Sequence, residues 1–285
     1  MAKYVVLYNP MANSNHGKEK ADELEKVLAG DELIYYPVTR VENYRAWFEE
    51  IGPDVPVILC GGDGTLNHFV NDVNGIDYPN DILFYAAGTG NDFLVDLGKK
   101  PDGAPFSIKK YLKDLPTVTI NGKSSLFLNG VGYGIDGYCC EVGDEERKKS
   151  DKPVNYAGIA IKGLLFHYKP TNAVVTVDGT KHEFKKVWLA PVMHGRCYGG
   201  GMFPTPAQDR LNPEHTLSVL IWHGSGKIAT LAAFPSIFKG EHIKHKKNIT
   251  IMTGHEISVE FDRPVAAQID GETVLNVSKI ETKSV

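Results

Sequence analysis

The stretch Cys60-Gly61-Gly62-Asp63-Gly64-Thr65-Leu66-Asn67 limits what this chain can fold into more than any other. An apolar run, Val55-Pro56-Val57-Ile58-Leu59, enters it with the length and composition of a buried strand. Behind it Leu66, Phe69, Val70 and Val73 recur at helical spacing and predict a helix over 66–73. The order is therefore strand, glycine turn, helix. Glycines let the backbone turn sharply and approach a ligand closely. A helix start aims unpaired amides and the positive end of its dipole at the turn, and phosphate is the natural occupant. An ordinary turn with Asp63 as a cap is the competing reading, and three glycines interleaved with Asp and Thr weigh against it. No G-x-x-x-x-G-K-[ST] and no H-R-D or D-F-G signature occurs, and neither Gly62-Asp63-Gly64 nor Gly88-Thr89-Gly90 completes a G-x-G-x-x-G, so a nucleotide is held in some other way.

The flanking sequence repeats the strand–helix alternation. Tyr4–Tyr8 ends in Asn9-Pro10, and a charged amphipathic helix over Lys18–Leu28 follows. Leu33–Tyr36 is a second strand, with a helix around Tyr44–Ile51, and Ile82–Ala86 a fourth, running into Gly88-Thr89-Gly90-Asn91-Asp92. The fold expected is a doubly wound α/β domain with a parallel sheet. In such sheets ligands sit beyond the carboxyl ends of the strands, where Asn9-Pro10, Gly61–Thr65 and Gly88–Asp92 all fall. Near Pro116 short β-rich runs take over, separated by the turn signals Asn121-Gly122, Asp178-Gly179 and Asp270-Gly271. They predict a mostly antiparallel, β-sandwich-like second domain with helical insertions over Val154–Tyr168 and Lys227–Phe238. The expected domains are 1–120 and 121–285.

Composition narrows the function classes. Hydrophobic content of 42% and charged content of 23% are those of a globular protein with a real core. A net charge of −4 argues against general nucleic-acid binding. The four cysteines lack zinc spacing and read as reduced, hence a cytoplasmic setting. The first residues enter a strand at once without a signal-like apolar region, and no apolar run reaches a membrane-spanning length. Any membrane contact is therefore expected to be peripheral. Arg147-Lys148-Lys149 and Lys244-His245-Lys246-Lys247 are candidates to meet anionic headgroups, a solvated charge cluster being the alternative.

The two glycine loops together resemble the diacylglycerol kinase catalytic-domain family, in particular its soluble bacterial lipid kinases. Gly61-Gly62-Asp63-Gly64-Thr65-Leu66-Asn67 resembles that family's nucleotide-binding turn and Ala87-Gly88-Thr89-Gly90-Asn91-Asp92-Phe93 its second loop. Asn9-Pro10 with Gly17-Lys18 is similar to its first loop. The resemblance implies ATP in an interdomain cleft, Mg²⁺, and a lipid alcohol such as diacylglycerol as acceptor in phospholipid biosynthesis, and it leaves room for a homodimer. It implies nucleotide contacts at Asn9, Pro10, Lys18, Thr39, Thr65, Asn67, Thr89, Asn91, Asp92 and the backbone of Gly61, Gly62, Gly64 and Gly88. Asp63 is placed at the phosphates and their magnesium, and Glu272, in Asp270-Gly271-Glu272, as proton acceptor. The family's structural-metal segment corresponds to Asn212-Pro213-Glu214-His215-Thr216-Leu217-Ser218, where Glu214 is the strong oxygen ligand left. An NAD kinase-like enzyme and a non-catalytic nucleotide- or lipid-binding homologue are the alternatives.

This chemistry needs positioning and charge neutralisation more than covalent help. Amides, Mg²⁺ and Lys18 would neutralise the phosphates, and a carboxylate must receive the acceptor's proton. Alternation predicts that one of Asp270 and Glu272 faces the site and the other faces away. Removing the Asp63 carboxylate is expected to stop turnover and leave the fold intact. Gly195–Gly201 is expected to be a mobile wall of the acceptor site or a glycine-rich bend.

Overall fold

In the computed structural model, which describes residues 1–88, 91–101, 103–149 and 154–285, the chain divides into two units, Met1–Lys113 and Asp114–Val285. Residues 114–120, on the far side of the boundary expected at 120, include the strand Thr117–Ile120, whose ladder partner is Ile280–Lys283.

The first unit holds a sheet of β1 (Lys3–Tyr8), β2 (Glu32–Pro37), β3 (Val57–Gly61), β4 (Ile82–Ala86) and β5 (Phe106–Ser107) in the order β2-β1-β3-β4-β5. β1 to β4 are parallel and β5 closes the edge antiparallel. β3 is buried at all five positions, as its unbroken apolar run predicts for a strand covered on both faces. One face, from Val6, Ile58, Cys60 and Tyr85, packs on Ala21 and Leu24. Those two residues lie in α2 (Gly17–Asp22) and α3 (Leu24–Val27), which follow a short α1 (Ala12–Asn15). A single helix over Lys18–Leu28 is thus replaced by two, meeting at Glu23. α4 (Tyr44–Ile51) and α5 (Asp63–Asp72) bring a separate aromatic group together, with Phe48 stacked on Tyr78 at 4.7 Å and Tyr44 edge-on to Phe69 at 5.6 Å. α6 (Asp92–Asp96) follows the second glycine loop.

In the second unit every ladder is antiparallel. Its strands are β6 (Thr117–Ile120), β7 (Lys123–Leu126), β8 (Gly130–Tyr133), β9 (Thr171–Val177), β10 (Thr180–Val187), β11 (Val192–Met193), β12 (Leu217–Trp222), β13 (Ile249–Gly254), β14 (Glu256–Ile269) and β15 (Glu272–Lys283). The main path is β13-β12-β11-β8-β14-β15-β6-β7, with β9 and β10 branching from β14. One edge of β14 is shared: Ile257–Phe261 pairs β9, while Ala267–Ile269 pairs β8. Between these halves lie Asp262-Arg263-Pro264, where the register against β15 shifts. Proline has no N–H to give a ladder, so the sheet forks there. At the fork the Tyr133 and Phe261 rings stack at 3.9 Å and the Tyr133 hydroxyl donates to the Val277 carbonyl at 2.6 Å.

Both expected insertions are helical: α8 (Tyr156–Lys162) with a π-helical turn, Gly163–His167, and α9 (Lys227–Ala233) with 3₁₀ turns at Phe234–Lys239 and Glu241–Lys244. A further helix, α7 (Ile135–Lys149), was not expected, because it lacks an apolar stripe; its buried residues are Ile135, Asp136, Gly137 and Gly143. Among the described residues no helix is long and apolar enough to cross a membrane.

Candidate active site

Because β1 to β4 are parallel, Asn9, the Val38–Arg40 turn, the Gly62–Thr65 segment and Gly88 all leave the same edge of the sheet. The chain turns one way from β1 to β2 and the other way to β3, so the switch point lies between β1 and β3. There the Asn9 side-chain amide donates to Thr65 Oγ1 at 2.9 Å, and Asn9 Oδ1 accepts from the Met11 amide at 3.0 Å. Gly17 rests against the same loop: a Cβ on it would come within 1.9 Å of the Asn9 carbonyl oxygen. Gly61 is held to its identity by Thr65, whose side chain would lie 2.5 Å from a Cβ there.

α5 begins at Asp63, three residues earlier than the apolar spacing shows, with Gly62 as its extended N-cap and no side chain capping it. Its first helical hydrogen bond runs from the Leu66 amide to the Gly62 carbonyl. The amides of the first turn therefore face the loop, in the manner of an anion site. Asp63 turns its carboxylate to the next loop, accepting from the Asp92 amide at 2.7 Å and the Phe93 amide at 3.3 Å. It thus binds the start of α6 to the start of α5. Asp63 therefore holds backbone in place in addition to any part it has at the phosphates. Asn67 is buried one turn inside α5 and takes a hydrogen bond from Asn71 through its carbonyl at 2.9 Å.

In the second loop the Asn91 side-chain amide donates to the Gly88 carbonyl at 3.2 Å, and Asp92 is buried. Thr89 lies outside the described residues. Thr39 is exposed in the turn after β2. Pro10 is half-buried beside Asn9. The Lys18 ammonium pairs with Asp22 and lies over the Tyr35 ring at 4.2 Å, so its charge is already shared.

In the second unit the two carboxylates of the Asp270–Glu272 turn have different surroundings. Asp270, at a positive φ of 46°, accepts from the amides of Leu128, Asn129 and Gly130 at 2.6, 2.8 and 3.0 Å. That carboxylate is committed to backbone. Glu272 is exposed at the start of β15, beside α7: Thr273 donates to Asp144 at 2.6 Å. Glu214 is also exposed, and among the described residues no group of three or more His, Cys, Asp or Glu side chains could hold a metal. Gly195–Gly201 is a closed bend in which Tyr198 and Met202 exchange backbone hydrogen bonds across Gly199, Gly200 and Gly201, all at positive φ.

Several polar residues behind this turn carry no motif. Arg210 is buried and donates to the Leu128 carbonyl at 3.3 Å and to Asn129 Oδ1 at 2.9 Å. His194 meets the same carbonyl at 2.9 Å. Gln268 accepts from the Gly271 amide at 2.6 Å. Asp136 takes the Tyr198 hydroxyl at 3.0 Å and is buried, its Oδ1 having no hydrogen-bond partner among the described residues. Burial pushes its carboxyl up to about 6, against the pull of Tyr198 and Gln268. Burial, then Asp136, Asp144 and Glu272, push the Cys140 thiol up to about 12, so it is no nucleophile. Of these residues only Gln268, a polar side chain inside Val265-Ala266-Ala267-Gln268-Ile269, left a visible signal in the sequence.

Residues 3–118 match the diacylglycerol kinase catalytic domain, and residues 129–281 match the YegS C-terminal NAD kinase beta sandwich-like domain. A diacylglycerol kinase of Mycobacterium tuberculosis is 28% identical over 196 residues, covering 66% of this chain and 61% of that protein, so the match spans less than two thirds of the relative's length. YtlR of Bacillus subtilis, which bears a lipid-kinase name, is 25% identical over 308 residues, covering 95% of this chain and 94% of its own. A crystal structure of a diacylglycerol kinase from Bacillus anthracis shares the fold with a TM-score of 0.64 at 20% identity, over 99% of this chain and 94% of that one.

Proposed function

The chain belongs to the diacylglycerol kinase catalytic-domain family, and on that premise we propose that it transfers the γ-phosphoryl group of ATP to the hydroxyl of diacylglycerol or a related lipid alcohol. The observation that supports this most is the Asp63 carboxylate joining the first turns of α5 and α6 at the carboxyl edge of the sheet. Two helix starts held together present amides and dipole ends to one polyanion.

In this reading the phosphates lie on the amides of Gly62 and Gly64, with Asn9 and Thr65 holding the loop to its shape. Thr39, Thr89, Asn91 and Asp92 contact the nucleotide, and Gly61 and Gly88 admit it. Asp63 and Asp92 offer hard carboxylate oxygens, which fits Mg²⁺ held by one or two carboxylates and by the phosphates themselves. Bound there, Mg²⁺ supplies charge neutralisation for the phosphoryl oxygens. Glu272 accepts the acceptor's proton as that hydroxyl oxygen bonds to the γ-phosphorus and the bond to ADP breaks. The enzyme works in the cytoplasm and reaches its lipid by peripheral membrane contact, as one copy or as a homodimer.

Labelled ATP incubated with a panel of lipid alcohols, separated by thin-layer chromatography, tests the reading. Wild type should label a lipid. Glu272→Gln should slow labelling by on the order of 10² to 10⁴ while nucleotide affinity stays unchanged. No labelled lipid from any acceptor would sink the proposal, and joint loss of ATP binding and activity would make the role of Glu272 structural.

A further inference from the structure

Two segments of the second unit, 154–169 and 227–247, carry seven lysines and a single acidic residue, Glu241, in a chain whose formal net charge is −4. All seven lysines are exposed. The segments are neighbours: Lys227 of α9 donates through Nζ to the Leu165 carbonyl at 3.0 Å, in the π-helical turn after α8. The same short elements expose large apolar side chains, Ile161 at 48%, Phe166 at 72%, Ile228 at 81%, Phe238 at 44% and Ile243 at 43%. The core beneath is complete without them, since Leu164, Tyr168, Trp188, Trp222 and Ile237 close it. Single exposed apolar residues are ordinary, but five on adjoining elements among seven lysines mark an interaction face.

We propose that this face docks on an anionic lipid bilayer, Phe166 and Ile228 entering the headgroup boundary while the lysines meet the phosphates. Charge complementarity selects this occupant. A second copy of the chain would set lysines against lysines, and a nucleic acid offers the isoleucines no apolar phase. The proposal rests on the lipid-kinase reading only for why an enzyme of this kind needs a bilayer. Each lysine near such a surface strengthens binding about fivefold. An apolar side chain moved out of water adds on the order of tenfold.

The test is sedimentation with vesicles of phosphatidylglycerol and phosphatidylcholine, without ATP, against phosphatidylcholine alone. Wild type should bind the anionic vesicles and release at about 0.5 M NaCl, where screening shortens to about 4 Å. Lys239→Gln with Lys246→Gln should weaken binding about 25-fold. Phe166→Ser with Ile228→Ser should weaken it on the order of tenfold or more, while Ile34→Ser with Lys26→Glu on the first unit should not. Turnover of a dispersed short-chain lipid alcohol should be kept by all these variants. Failure of wild type to phosphorylate any lipid sinks the kinase reading and leaves the vesicle result standing. The docking face is overturned if the Phe166 and Ile228 variant sediments with anionic vesicles as well as wild type, or if wild type binds none and instead self-associates through this face.

Discussion

Asp63 has two demands on one carboxylate: to sit at the head of α5 and to hold the amides of Asp92 and Phe93. Hydrogen bonds to a charged acceptor contribute about 1.5–3 kcal/mol each. Asp63→Ala should therefore lower stability by about 3 kcal/mol in a urea titration, beyond any loss of turnover. Asp63→Asn, which keeps an acceptor, should recover part of that stability. Asp136 makes a different demand. Burial raises its carboxyl from 3.8 to about 6, so the folded chain holds this proton at pH values where the unfolded chain has released it. The resulting stabilisation is complete below about pH 3.8 and is lost as pH rises through about 6. Asp136→Asn removes the titration, and between pH 4 and 7 wild type should lose about 2 kcal/mol relative to that variant. Parallel pH profiles of the two proteins would refute this enclosed carboxyl.

At the scale of elements, α7 shows how a helix can lie against a sheet without an apolar stripe. A Cβ at Gly137 would stand 2.0 Å from the Ala266 carbonyl oxygen, and backbone cannot step aside as a side chain can. Gly137→Ala should cost about 3 kcal/mol or more and lower the melting temperature accordingly. This is also why α7 was illegible in the sequence. Helix periodicity reports burial of large apolar residues, whereas α7 is seated by glycines and an enclosed aspartate. The strands of the first unit were legible for the opposite reason: unbroken apolar runs ending in glycine or Asn-Pro leave little else for the chain to do. Legibility of the site split the same way. Asn9, Thr65 and the Asp63 loops meet because local turn chemistry puts them on one edge. Arg210, Asn129, His194 and Gln268 gather around the Glu272 turn only through pairing of strands far apart in sequence, which no local pattern encodes.

At the scale of the molecule, each unit owns its core. The large cluster of the second unit runs from Val118 to Ile280, and the Val6–Tyr85 cluster stays within the first. A fragment of 114–285 should melt cooperatively by circular dichroism, and a fragment that remains unfolded would show that the second unit depends on the first. The place of β14 and β15 in their sheet carries one more consequence. They lie between β8 and β6, in the interior of the strand order, although they come later in sequence than every neighbour. On the ribosome the first unit is complete by Lys113, but β6 must wait for β15 and β8 for β14. At about 5–20 residues per second that interval is roughly 8–30 s. Through it β6 and β8 present open edges, and nascent-chain chaperones would find their binding sites there rather than in the nucleotide half.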